Sequence, residues 1–410
     1  MSETIPEANR HPIRVVRIID RLNVGGPTYH VLLLTRDLPA RGYDPILVKG
    51  QIAPGEAEMT AAIDQIGADF LDLPGFTKAI SLRDIGVFWA LYRLLRRVRP
   101  HIVHTHKTKA GALGRLAALL AGVPVIVHTF HGHAFDGYFS RLANYIVLVI
   151  ERLLAHRTDA VVTVSTQVRR ALLSYGIASP KRVHTIPLGL ELEPFLAAER
   201  SDDGFREELG FAPNAPLVCI LGRVVPIKGL TVFLRAAKRV LAEIPDARFV
   251  VVGDGESRVE LEEFAHTLEL GDRVNFTGFR DDVIRIFASV DLVAQSSFNE
   301  GSPVTLIEAL SAGCYVVATG VGGVADVVDS DRLGLLAPSG DDKTLADVMV
   351  RSLRAKQTIG VEDRKRMGSR YGIRRLVNDL DNLYSTLLQM KGLQRCRDKN
   401  PIWQGAGINE

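Results

Sequence analysis

Cysteine is scarce in this chain. There are three in 410 residues, Cys219, Cys314 and Cys396, far apart and odd in number. Two lie in apolar runs, so the set argues against a disulfide framework and for a reducing compartment. Long hydrophobic runs are also missing. The longest, residues 142–154, is short for a bilayer and is interrupted by Glu151 and Arg152, so no transmembrane helix is expected. The first residues, Met1-Ser2-Glu3-Thr4, lack the basic start and apolar core of a signal peptide. No short-period repeat and no low-complexity segment occurs. These absences lead to the expectation of a cytoplasmic protein, and a length of 410 residues accommodates two domains with full cores.

What is present is ordinary in amount, 47% hydrophobic and 24% charged residues, but uneven in place. Residues 1–195 hold 23 Lys/Arg against 16 Asp/Glu, net +7, and the remainder holds 27 against 31, net −4. A basic first half suits an anionic membrane or a phosphorylated acceptor, or carries no specific meaning. Arg93, Arg96, Arg97 and Arg99 cluster with Leu94, Leu95 and Val98 on one helical stretch. That stretch is either a membrane-facing patch or a solvated helix end whose late cations suit its dipole.

Short apolar runs alternate with amphipathic stretches. Strands are expected at 14–19, 44–48, 102–105, 123–129, 160–164 and 183–186, then at 217–221, 247–252, 274–277, 292–295, 315–318 and 333–336. Helical patterns fall at 28–38, 82–98 and 110–121, then at 230–243, 259–268, 282–288 and 303–312. Such alternation with strands apolar on both faces predicts α/β architecture, two doubly wound Rossmann-like domains facing across a cleft. The expected limits are 1–195, 196–373, a helix at 374–391 crossing back to the first domain, and a flexible tail at 392–410.

In open α/β sheets ligands bind at the carboxyl ends of strands, and the polar motifs lie there. Asn299-Glu300-Gly301-Ser302-Pro303-Val304-Thr305-Leu306-Ile307-Glu308 follows an apolar run. Ser302 is expected to cap a helix with Pro303 at its first position, and Gly313 to stop it. Glu300 then lies on the loop and Glu308 about 7–8 Å further along the helix axis, flanking N–H groups that attract an anion. Both glutamates are alternatively ordinary helix-start carboxylates. Gly222-Arg223 and Lys228-Gly229 place two cations before another helix, where they oppose the macrodipole unless an anion neutralises them. A diphosphate would do so, with Arg as a fork and Lys as a point charge. Gly25-Gly26 and Gly253-Asp254-Gly255 are strand–glycine turns without the third glycine of the dinucleotide fingerprint. The backbone at Phe279-Arg280 can meet a nucleobase edge. His128, His131 and His133 invite a metal reading, a structural one, or a contact to sugar or phosphate. At strand spacing His128 faces away from the other two, and no nearby Cys or carboxylate completes a shell. His131, beside Gly132, is the best contact candidate.

In this order the motifs resemble glycosyltransferase family 4, retaining enzymes of the GT-B fold, over roughly residues 14–390. The resemblance implies that Arg223 and Lys228 hold the diphosphate of a nucleotide-sugar donor, a UDP-sugar by family weight, and that Glu308 accepts from its ribose. It further implies that Glu300 and His131 contact the donor sugar. The amides of Gly301, Ser302 and Val304 would complete the anion site, and Gly25, Gly26, Gly222, Gly253, Gly255, Phe279 and Arg280 would line it. Implied partners are a lipid-linked or soluble glycan acceptor and an anionic inner membrane surface, with no nucleic acid. No cofactor or essential metal is implied, because the pairs Asp329/Asp331 and Asp379/Asp381 are remote from the motifs. The sequence departs from the family at Leu188-Gly189-Leu190-Glu191, where many members have an Asn-Gly-Ile/Val-Asp turn. Competing readings are a nucleotide-sugar 2-epimerase of the same fold and a dinucleotide-dependent oxidoreductase or binding module.

Overall fold

The computed structural model describes residues 12–23, 25–52, 59–66, 70–77, 79–132, 141–201 and 204–393. The chain forms two compact units. One comprises Met1–Val164, Val168–Gly189 and Arg374–Glu410, the other Ser165–Gln167 and Leu190–Ile373.

The first unit is built on strands β1 Ile13–Ile19, β2 Tyr43–Lys49, β3 Phe70–Asp72, β4 Ile102–His106, β5 Val125–Phe130, β6 Ala160–Thr163 and β7 Val183–Thr185. They pair in the order β3-β2-β1-β4-β5-β6-β7, each pairing parallel. The second unit holds β8 Leu217–Leu221, β9 Arg248–Val252, β10 Val274–Gly278, β11 Leu292–Gln295, β12 Val316–Thr319 and β13 Gly334–Ala337. Their order is β10-β9-β8-β11-β12-β13, again all parallel. In each sheet the order reverses once, between β1 and β4 and between β8 and β11. Such reversals are where doubly wound sheets open a crevice for ligands.

Central strands are buried on both faces, as in Leu217, Val218 and Cys219 of β8, because helices cover both sides. The exception in β1 is Arg17, fully buried beside Tyr384 and Tyr43; burial lowers its pKa, partly offset by the two phenols. The final helix, Ile373–Met390, packs on the first unit. Tyr384 Oη lies 2.5 Å from His104 Nδ1, and Tyr43 donates to Asp381 at 2.9 Å. Cys219 and Cys314 are free thiols; Cys396 and the tail beyond 393 lie outside the described residues. Among the described residues no helix is long and apolar enough to cross a membrane.

One expectation changes. Leu95 is buried, and Leu94 and Val98 pack partly against the core, so they supply no apolar surface beside the exposed Arg93, Arg96, Arg97 and Arg99. The outward apolar residues lie elsewhere: Ile85 and Trp89 earlier on the helix Arg83–Val98, Leu116 and Leu120 on the neighbouring helix Thr108–Ala121, and a stripe on the helix Arg141–His156. The run at 142–154 is thus a surface helix. Its Glu151 turns inward to a fully buried ion pair, with Arg115 Nη2 donating to Oε2 at 2.6 Å.

Glu151→Ala leaves the Arg115 guanidinium buried without its carboxylate. We expect a loss of about 3–5 kcal/mol in urea unfolding, whereas Arg239→Ala, which removes a solvent-exposed partner of Asp342, should leave the unfolding midpoint nearly unchanged.

Candidate functional site

At the reversal in the second sheet, the loops after β8 and β11 lie side by side. The first loop runs through Gly222 and the exposed Arg223 into a single 3-10 turn, Pro226–Lys228, before the helix Leu230–Glu243. The second runs from Ser296 to Pro303 before the helix Val304–Ser311. Phe298 N donates to Ile227 O at 2.9 Å and Ser296 Oγ to Lys228 O at 3.0 Å, which stitches the two loops together. The outcome is a charge pair at the centre of the reversal: Lys228 Nζ donates to Glu300 Oε1 at 2.6 Å.

Glu300 is nearly buried, and two further donors meet the same oxygen, Gln295 Nε2 and Ser297 Oγ, each at 2.6 Å. Oε2 has no partner among the described residues. The carbonyl of Glu300 is held as well, accepting from Gly323 N at 3.0 Å. A Cβ on Gly322 would come within 1.5 Å of that carbonyl oxygen, so the Gly322-Gly323 turn is needed for the close approach of the β12 loop. Gly253 plays the same part across β9 and β8, where a Cβ would lie 1.9 Å from Gly222 O. These glycines are accounted for by loop-on-loop packing before any ligand is considered.

Sequence-based expectations are corrected at three points. The anion neutralising Lys228 here is Glu300 itself. Ser302 does not cap the helix through its side chain: Pro303 occupies the cap position and no side chain bonds there, while Val304 N donates to Ser302 O at 3.0 Å and so is not free for the anion expected at it. Arg280 gives its guanidinium to Asp282 and Glu208, which raise its pKa, so only its backbone remains beside the exposed Phe279. Gly313 does terminate the helix, with φ of 93°.

The crevice at this reversal is lined by Gly222, Arg223, Lys228, Gln295 and Ser297 among others. Arg223 has no partner among the described residues. Neither has the Glu308 carboxyl, more than one turn into the helix and reaching solvent only in part. Burial pushes the Glu308 pKa up to about 8.

Gly25, Gly26 and His131 belong to the first unit. Gly25 precedes the helix Gly26–Asp37 at the β1 end of the other reversal. There Lys107, directly after β4, pairs with Asp20, directly after β1, at 3.0 Å. His128 points to the opposite sheet face, bonding Thr105 Oγ1 at 2.8 Å, and His133 lies outside the described residues. His131 instead meets two histidines that sequence reading missed. Its Nε2 is 3.0 Å from His106 Nδ1, and its ring stands edge-on to His30 at 5.2 Å. The available signal was His104-x-His106, alternate positions of a strand and hence one face. Burial first, then neighbouring charges, holds His30, His104 and His106 well below the usual pKa, and His131 falls to about 3. All four are neutral at pH 7.

Comparison with known proteins agrees with this architecture. Residues 24–194 match the model of Glycosyltransferase Family 4, and residues 201–371 that of Glycosyl transferases group 1. An Escherichia coli UDP-Gal:alpha-D-GlcNAc-diphosphoundecaprenol alpha-1,3-galactosyltransferase is 30% identical over 334 residues, 80% of this chain and 86% of that protein. A 2-deoxystreptamine N-acetyl-D-glucosaminyltransferase of Streptomyces fradiae is 28% identical, over 85% and 88% of the two chains. Among solved structures, Anabaena HepE in complex with UDP and glucose superposes with a TM-score of 0.78 at 20% identity, over 91% of this chain and all of that one. Sucrose-phosphate synthase from Thermosynechococcus elongatus gives 0.76 at 22%, over 93% and 100%. The fold is therefore GT-B, two Rossmann-like domains. The chain belongs to glycosyltransferase family 4 and is a glycosyltransferase.

The raised Glu308 pKa has a consequence for stability. The unfolded carboxyl releases its proton near 4.5 and the folded one near 8, so the native state holds the extra proton in between. Stability from this group then falls as pH rises through that window. In urea unfolding, Glu308→Gln should gain on the wild type between pH 5.5 and pH 8.5; a constant difference would contradict the raised value.

Proposed function

We propose that the protein transfers a sugar, with retention of anomeric configuration, from a nucleoside-diphosphate sugar, a UDP-sugar, to a hydroxyl of a lipid-linked glycan in cell-surface polysaccharide or glycolipid synthesis. The observation that carries this reading is the convergence of Lys228, Gln295 and Ser297 on one oxygen of Glu300, at the sheet reversal and beside a free Arg223 and an uncapped helix end. With Oε1 saturated, Oε2 is the acceptor left for a sugar hydroxyl. Lys228 is held within reach of a donor diphosphate without having to be ordered by it, which lowers the entropy lost on binding. Arg223 and the helix N–H groups meet charge that builds on the leaving phosphate. Glu308, unpartnered, accepts from the ribose diol. In the same reading His131 contacts the donor sugar. The E. coli relative's name, with a UDP-linked donor and a diphosphoundecaprenol-linked acceptor, supports the substrate classes.

This reading assigns no part to a divalent ion, and of the two acidic pairs Asp329 bonds Arg366 and Arg370, Asp379 bonds Arg375, and Asp381 bonds Tyr43. The donor is tested by thermal stabilisation across nucleotide sugars, and the reaction by NMR of the product's anomeric proton. Lys228→Ala should weaken nucleoside diphosphate binding by about 1.5–3 kcal/mol in calorimetry. Unchanged affinity removes Lys228 from the site, and turnover of donor without acceptor favours the epimerase reading.

Membrane placement is part of the proposal. On the helix Arg141–His156, Leu142, Tyr145, Ile146, Ile150 and Leu153 form an outward stripe, with Leu142 72% exposed, and Arg152 and Arg157 are exposed nearby. An apolar stripe rimmed by cations suits the interface of an anionic bilayer. The protein should cosediment with anionic but not neutral liposomes and be released by salt. Leu142→Ser with Ile146→Ser should abolish this without altering donor affinity.

A further inference from the structure

We propose that His30, His106 and His131 form a binding site for a borderline transition metal ion such as Zn2+, through which the ion inhibits the enzyme. Each of the three presents a ring nitrogen that lies within 4.8 Å of those offered by the others. Imidazole nitrogens on one tetrahedral Zn2+ stand about 2.0–2.1 Å from the ion and hence roughly 3.3 Å from one another, so the rings need to close by up to about 1.5 Å. His106 Nδ1 and His131 Nε2, at 3.0 Å, are already near that spacing.

His30 is what calls for a ligand, because both of its ring nitrogens are buried without a hydrogen-bond partner. A buried polar atom in that state carries a desolvation cost that a bound group relieves. The rings are also well fixed. His106 stacks on His104 at 4.4 Å, and His104 is anchored by Tyr384 Oη and by Thr129 Oγ1 at 2.7 Å. All three rings are neutral at pH 7, the form in which imidazole ligates.

The donor set selects the ion. Three imidazoles without a carboxylate suit Zn2+, Co2+, Ni2+ or Cu2+, whereas Mg2+ and Mn2+ prefer oxygen. Two cations act on the cluster, Arg17 on His30 and His106, and Lys107 on His131. Lys107 shares the Asp20 carboxylate with Arg21, while Arg17 stands against tyrosines. Arg17 therefore opposes a dication, which fits a reversible regulatory site better than a resident cofactor. The inhibitory consequence rests on the proposed contact of His131 with the donor sugar, because a metal on His131 withdraws it from that role.

The test uses untagged, full-length, chelator-treated enzyme at pH 7. Titration with Co2+ should give visible d–d absorption that saturates near one ion per chain, and Zn2+ should displace it. His30→Asn and His131→Asn should each weaken binding by at least about tenfold, the lower end for loss of even a supporting group, while His128→Asn keeps it. Circular dichroism identifies any variant that fails to fold, and His106→Asn then serves as a replacement. Transfer by the wild type should survive chelator and fall with added Zn2+, and His30→Asn should remain active and resist Zn2+. Absence of stoichiometric binding, or binding indifferent to His30 and His131, overturns the site. Binding as described without inhibition keeps the metal site and removes the assignment of His131 to the donor sugar.

Discussion

The contact between Lys228 and Glu300 organises the second unit. Two loops from adjacent parallel strands can approach at a sheet reversal only if their charges and backbones are reconciled. Here the lysine, Gln295 and Ser297 neutralise and saturate one carboxylate oxygen while Gly323 holds the same residue's carbonyl. Breaking a nearly buried pair of this kind leaves an uncompensated charge. The loops are therefore held ready for a ligand by the groups that would bind it.

The first unit repeats the device with the signs exchanged. There the acid, Asp20, follows the first strand and the lysine, Lys107, follows the strand across the reversal. In the second unit the lysine comes first. Lys107 also donates to Arg21 O and Asn23 Oδ1, so it braces the loop leading to the Gly25-Gly26 turn. Both units thus secure their strand-end crevices with a lysine–carboxylate clasp, but the charge left facing outward differs. In the second unit Arg223 remains free, which suits an anionic ligand there.

The central strands were legible in the sequence because parallel strands covered on both faces read as unbroken apolar runs; 217–221 and 292–295 match β8 and β11. One edge strand was not. β3, only Phe70–Asp72, is partly exposed and carries no such run. The helices Asp342–Ala355 and Val361–Tyr371 escaped notice because they are rich in charge. The motif residues around Glu300 were found from local order alone. Their pairing was not, since 72 residues separate Lys228 from Glu300. The Ser302 cap was a sound local expectation that failed because Pro303 takes the cap position itself. The histidine cluster shows the same limit: His30 and His106 meet His131 only through the order of the strands, which no local pattern announces.

The return of the last helix to the first unit sets an order of events on the ribosome. The second unit is drawn almost wholly from one continuous stretch, Leu190–Ile373, and can assemble once that stretch has emerged. The first unit cannot be completed until Tyr384 reaches His104, 280 residues earlier in the chain. Until then the face of its sheet bearing Arg17 and His104 lacks its cover. The N-terminal half is thus synthesised first and finished last, and during that interval its uncovered sheet face is open to premature association.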